Sequence, residues 1–93
     1  MEDPEGRLVV FDAGTQLHLS LGRPELAHEV DLILGTVAHP DYRRPNDLPS
    51  REHFYRLHLD GRRWLRVVVD FGEEPAWVVT ALVQNNPPPG WHP

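Results

Sequence analysis

The sequence predicts an α+β domain in which a helical N-terminal half packs on a C-terminal antiparallel sheet. Three observations carry this. Leu26, Val30, Ile33, Leu34 and Val37 recur at helical spacing, with Glu25, His28, Glu29 and Asp31 on the other faces. Asp60-Gly61 separates two apolar runs as a hairpin turn does. Beyond it, Trp64–Phe71 and Trp77–Val83 are rich in β-branched residues, as strands are.

Taken in order, Arg7–Phe11 is a short strand closed by Asp12-Ala13-Gly14. Residues 15–21 fit two patterns, because Leu17, Leu19 and Leu21 alternate as in a strand while Leu17 and Leu21 are also one helical turn apart. A helix is expected over 24–37, with Pro24 at its first position and Glu25 facing the positive end of the helix dipole. It should end before Pro40, since a residue preceding proline avoids the α conformation. His39–Ser50 contains three prolines and reads as an exposed loop, with Tyr42 and Leu48 as its only anchors. Strands follow over 52–59, 64–71 and 77–83. Trp64–Phe71 is almost continuously apolar, as expected of a central strand covered on both faces. Residues 85–93 form a proline-rich tail whose Trp91 can tuck back on the body. The ordered core should run from about residue 7 to 84, and all 93 residues should make one domain.

Composition narrows the function classes. Hydrophobic residues make up 40% of the chain, enough for a modest core, and no apolar run nears the ~20 residues of a membrane helix. With no cysteine and no basic-then-apolar leader, a cytoplasmic protein away from membranes is expected. The six histidines form no HxH or HxxxH pair and the glycines are scattered, so neither a metal, a phosphate loop nor any other cofactor is expected. The net charge of −5 conceals an asymmetry. Residues 43–66 carry +4, all of it from arginine, and the remainder carries −9. Arginine suits phosphate recognition because its planar fork presents several donors at once. The alternative is that these arginines pair with the acids of the other half.

The densest polar cluster is Arg51-Glu52-His53-Phe54-Tyr55-Arg56, with Arg62, Arg63 and Arg66 on the neighbouring strand. Strand alternation places Arg51, His53 and Tyr55 on one face and Glu52, Phe54 and Arg56 on the other. A histidine, a tyrosine and cations on one face could accept a 2′-hydroxyl proton, protonate a leaving oxygen and steady a phosphate. An amphipathic edge strand with its charges in solvent explains the same pattern.

The order of the motifs resembles the barnase–EndoU–colicin–RelE-like nuclease superfamily of small bacterial and phage domains. The residues that carry the likeness are His18, Arg-Pro-Glu-Leu at 23–26, Thr36 with Pro40-Asp41, Arg-Glu-x-Phe-Tyr-Arg at 51–56, Trp-Leu-Arg-Val-Val-Val at 64–69 and Val-Val-Thr-Ala at 78–81. It spans roughly residues 8–83. The resemblance implies a β-α-α-β-β-β fold, and hence a helix over 15–21. It also implies a toxin-type, metal-independent ribonuclease acting on RNA and countered by an antitoxin or immunity protein. A non-catalytic protein- or nucleic-acid-binding domain of the same fold is the alternative. On this resemblance His18, Tyr55 and Arg66 are the candidate catalytic residues. Arg51 and Arg56 would bind phosphate and Thr80 would support them; the 39–50 loop adds Arg43 and Arg44 beside Arg51 as further phosphate binders, and the strand face adds His53 as a supporting residue. The lead-in to the second helix reads Gly22-Arg23-Pro24-Glu25 where related sequences tend to show Arg-His-Pro-Glu.

Overall fold

A computed structural model describes every residue except Ala27, Leu59, His92 and Pro93. Its elements are β1 (Val9–Val10), α1 (Ala13–Gly22), α2 (Val30–Ala38), β2 (Tyr42–Pro45), β3 (Arg51–Leu57), β4 (Trp64–Asp70) and β5 (Ala76–Gln84), with a 3-10 turn at Pro24–Leu26 between the helices. The fold is α+β, with the helices N-terminal to most of the sheet, as expected. The sheet has five strands in the order β1-β5-β4-β3-β2. All of its pairings are antiparallel except β1 with β5, which run parallel with Val9 beside Ala76.

The ambiguity at 15–21 resolves as helix because Asp12 caps α1. Its side chain accepts from Thr15 N–H at 2.7 Å, satisfying a backbone donor that a helix start leaves open, and from the Thr15 hydroxyl at 3.1 Å. The continuous helix expected over 24–37 is instead the 3-10 turn followed by α2. The break seats Leu26 beside α1, while Ile33 and Val37 of α2 pack over β3 and β4. Ala27 of the expected helix and Leu59 of the expected strand 52–59 lie outside the described residues.

The loop expected over 39–50 needs correction, since Tyr42–Pro45 form the edge strand β2, paired with Tyr55 back to Glu52. Three prolines masked it. An edge strand needs ladder donors on one side only, so a proline at its end is tolerated and discourages further pairing.

Each face of the sheet has its own apolar layer. On the helix side Phe54, Leu65, Val67, Val69, Val78 and Ala81 meet Leu19, Leu26, Ile33 and Val37. On the opposite side Tyr55, Trp64 and Val68 are also buried. One end of that side, at Trp64 and Tyr42, is covered by the chain's own tail. Pro88 is buried, and Trp91 packs edge-on against Trp64 and Tyr42, with ring centroids 5.0 and 5.9 Å apart. β4 is therefore covered on both faces, as its apolar run predicts. Among the described residues no helix is long and apolar enough to cross a membrane.

Candidate functional site

The arginines sort by face. On the helix side, Arg43 lies 2.8 Å from Glu52 and 3.5 Å from Glu5, with its guanidinium 5.1 Å from the Phe54 ring centroid. Arg7 bridges Asp3, Glu5 and Glu52 and stacks over Phe71 at 3.6 Å. The two arginines outweigh the effect of burial on Glu52 and hold its carboxyl below the usual range. Arg56, on the same side, rests against the backbone of α2, where a Cβ at Gly35 would stand 3.3 Å from its Nη1. Arg43 and Arg56 therefore work in the fold and lie on the other side of the sheet from the remaining candidates. Arg43 thus pairs chiefly with Glu52 of its own segment, and with an acid of the other half only through the longer contact to Glu5.

The tail side is different. The register places Arg44 (β2), His53 (β3), Val68 (β4) and Thr80 (β5) side by side across four strands. Neighbouring strands are ~4.8 Å apart, so this row spans ~14 Å. The adjacent row is Tyr42, Tyr55, Arg66 and Leu82. A register shift at Val68/Val69 turns Thr80 into the row, as bulges re-aim side chains. β1 pairs only with Ala76 and Trp77, which leaves the outer edge of β5 open beyond them. Arg23 reaches that edge from the end of α1, its Nη1 3.4 Å from Thr80 Oγ1. Among the described residues no carboxylate forms an ion pair with Arg23, Arg44 or Arg66. Arg51 ends the strip, and its charge is met by Asp70 at 3.1 Å.

His53 sits in the middle of these cations. Burial, then the charges of Arg66 and Arg44, push its pKa below the ordinary imidazole value, against a smaller opposing pull from Asp47. The ring is thus neutral at neutral pH. Its tautomer follows from its neighbour. Asn46 Oδ1 accepts from Leu48 N–H at 2.9 Å, which turns Asn46 Nδ2 toward His53 Nε2 at 3.0 Å. An amide NH2 can only donate, so Nε2 accepts and the ring proton is on Nδ1. The Tyr55 ring stacks on His53 at 5.9 Å between centroids and has no exposed surface.

His18 does not join this group. It is exposed on α1, whose Leu19 packs into the core on the helix side. The structure therefore brings together Arg44, His53, Tyr55, Arg66 and Thr80, with Arg51 at the margin, and leaves His18, Arg43 and Arg56 outside. Two participants, Arg23 and Asn46, escape a sequence reading.

One cavity borders the strip and a second lies apart from it. One of about 490 Å3, lined by Arg43, Arg44, Pro45, Pro49 and Arg51 among others, flanks its β2 end. Another, of about 440 Å3, lies between the N-terminal segment and the β4–β5 turn, where Glu73 and Glu74 would repel a phosphate. Comparison of the chain with protein-family models, curated proteins and solved structures finds no match.

Proposed function

We propose that the domain is a metal-independent ribonuclease of the bacterial toxin type, working in the cytoplasm and held in check by a protein antitoxin. The observation that carries this reading is the arginine strip, in which Arg23, Arg44 and Arg66 have no ion pair among the described residues, around a neutral His53. Such a strip grips a phosphodiester backbone and steadies the charge that builds on phosphorus as a nucleophile adds. In the reaction the RNA 2′-hydroxyl displaces the Asn46 amide from His53 Nε2 and gives its proton to that nitrogen. The 2′ oxygen then attacks phosphorus and the 5′ oxygen departs, taking the same proton back from the imidazolium. The products are a 2′,3′-cyclic phosphate and a 5′-hydroxyl. A ring with a low pKa suits both halves, being neutral beforehand and a good acid afterwards. His53 replaces His18 as the proton acceptor in this scheme.

The test is incubation of the purified protein with total RNA in a metal chelator. Cleavage should persist in chelator and fall by ~10²-fold or more in His53→Ala. Undiminished cleavage by His53→Ala would remove the assignment.

A second reading, a non-catalytic RNA-binding module, draws on the engagement of His53 Nε2 by Asn46 and the full burial of Tyr55. It predicts affinity that falls steeply with salt, from released counterions, and no cleavage at all.

A further inference from the structure

Three polar atoms on neighbouring positions of the tail-side face are buried without a hydrogen-bond partner: His53 Nδ1, Tyr55 Oη and Arg66 Nε. Tyr55 and Arg66 stand directly across the β3–β4 ladder, and His53 precedes Tyr55 by two residues, on the same face. A buried polar atom left unpaired costs free energy, and native proteins leave few of them. Here the three share one character. Arg66 Nε always carries hydrogen, the Tyr55 hydroxyl donates readily, and the Asn46 contact fixes the His53 proton on Nδ1. Each of the three can donate, and the Tyr55 hydroxyl can also accept. Thr80 Oγ1 already receives Arg23, while the Asp70 carboxylate is taken by Arg51 and Gly72 N–H.

A ligand that satisfies this group must bring acceptor oxygens and negative charge. We infer that His53, Tyr55 and Arg66 form a built oxyanion site that takes the non-bridging oxygens of a phosphate group. Water suits it less, because a neutral molecule leaves unmet the charge of Arg66, which has no ion pair among the described residues. Tyr55 has no exposed surface whereas His53 and Arg66 keep some, so the anion enters from the His53 side. The site deepens the ribonuclease reading by naming three donors that hold a backbone phosphate next to the scissile one, since His53 Nδ1 faces away from the Nε2 that takes the 2′ proton. It rests on that reading for the source of the phosphate, an RNA chain rather than the free ion, and stands without it as a phosphate site.

The experiment is a titration of the full chain, labelled with 15N, first with inorganic phosphate and then with a short oligoribonucleotide. His53 should show its proton on Nδ1 in the free protein, and that signal should move as phosphate binds. Tyr55→Phe removes one donor and keeps the ring, and Arg66→Gln removes the charge. Each should weaken phosphate binding roughly tenfold, as expected for one hydrogen bond to a charged group. Should Tyr55→Phe fail to fold, Arg66→Gln gives the same reading. No response of the His53 and Tyr55 signals to phosphate, or equal affinity in the variants, overturns the site. Displacement of phosphate by the oligonucleotide identifies RNA as the source, and lack of displacement identifies the free ion. Phosphate binding without RNA cleavage keeps the site and removes the ribonuclease. Cleavage that phosphate neither inhibits nor competes with does the reverse.

Discussion

Arg43 and Arg44 are neighbours in the chain and serve opposite faces of the sheet. Arg43 pairs across the ladder with Phe54 and is tied to Glu52 and Glu5, whereas Arg44 pairs with His53 and has no carboxylate among the described residues. The two should separate cleanly on mutation. Arg43→Ser removes a part-buried ion pair and a stacked cation, so it should cost about 1 kcal/mol. In a domain of this size that lowers the melting temperature by roughly 4–8 °C. Arg44→Ser should leave the melting temperature nearly unchanged, weaken RNA binding and reduce the salt slope by about one phosphate contact. Equal effects of the two on RNA binding would contradict the division of faces.

His53 makes activity depend on pH in a defined direction. Since burial and the charges of Arg66 and Arg44 depress its pKa, the neutral, proton-accepting form persists to more acid pH than for a free imidazole. The acid limb of the cleavage profile should therefore lie below the ordinary histidine range, and Arg44→Ser should move it upward. Stability follows the same sign. The unfolded chain binds the proton first, so the His53 contribution is complete above the ordinary imidazole pKa. It declines as pH falls from there toward the folded value. A profile whose acid limb is unmoved by Arg44→Ser would exclude His53 as the titrating group.

Much of this arrangement was legible because strand alternation is a strict rule. The separation of Arg51, His53 and Tyr55 from Glu52, Phe54 and Arg56 follows from it, and the structure keeps it. The helix at 13–22 was obscured because Leu17 and Leu21 are exposed, so they trace no core-facing stripe. Tertiary approach was beyond reach. Arg23 meets Thr80 across 57 residues of sequence, through a β5 edge left free by a two-residue β1. The tautomer of His53 depends likewise on a turn in which Asn46 is oriented by Leu48 N–H.

Asp3 organises the N-terminal segment and should govern acid stability. It is 5% exposed and accepts from Glu5 N–H, Arg7 N–H and Arg7 Nε at 3.1, 2.8 and 2.8 Å. Burial alone would raise its pKa, but the bonds and charge of Arg7 outweigh burial and hold the carboxyl below the usual range. A depressed carboxyl contributes stability above its unfolded pKa, and that contribution is lost as pH falls toward the folded value. Asp3→Asn should cost about 2 kcal/mol near neutrality, less than a stranded buried ion would, because Arg7 keeps Glu5 and Glu52. Denaturant titrations at neutral and acid pH should show the gap from wild type narrowing as pH falls. A gap that is constant with pH would mean the loss is one of packing.

The tail is held by a contact that only glycine permits. Gly90 has φ +84, and a Cβ there would stand 2.7 Å from Tyr42 Oη, on top of the strain that an L side chain meets in the left-handed region. Trp91 N–H closes the same turn onto Pro88 C=O at 3.0 Å, which presents the indole to Trp64 and Tyr42. Gly90→Ala should therefore release the tail at a cost of about 1–2 kcal/mol while leaving the helix-side core intact. Tryptophan emission should shift to the red as Trp91 and the now uncovered Trp64 meet water. The near-ultraviolet dichroism of the indole pair should fade, and the far-ultraviolet spectrum should hold. Trp91→Ala should reproduce the loss of dichroism without backbone strain, separating the indole's packing from the turn that positions it. If Gly90→Ala leaves both optical signals unchanged, the tail is anchored by Pro88 alone and Tyr42 has room that the structure does not allow it.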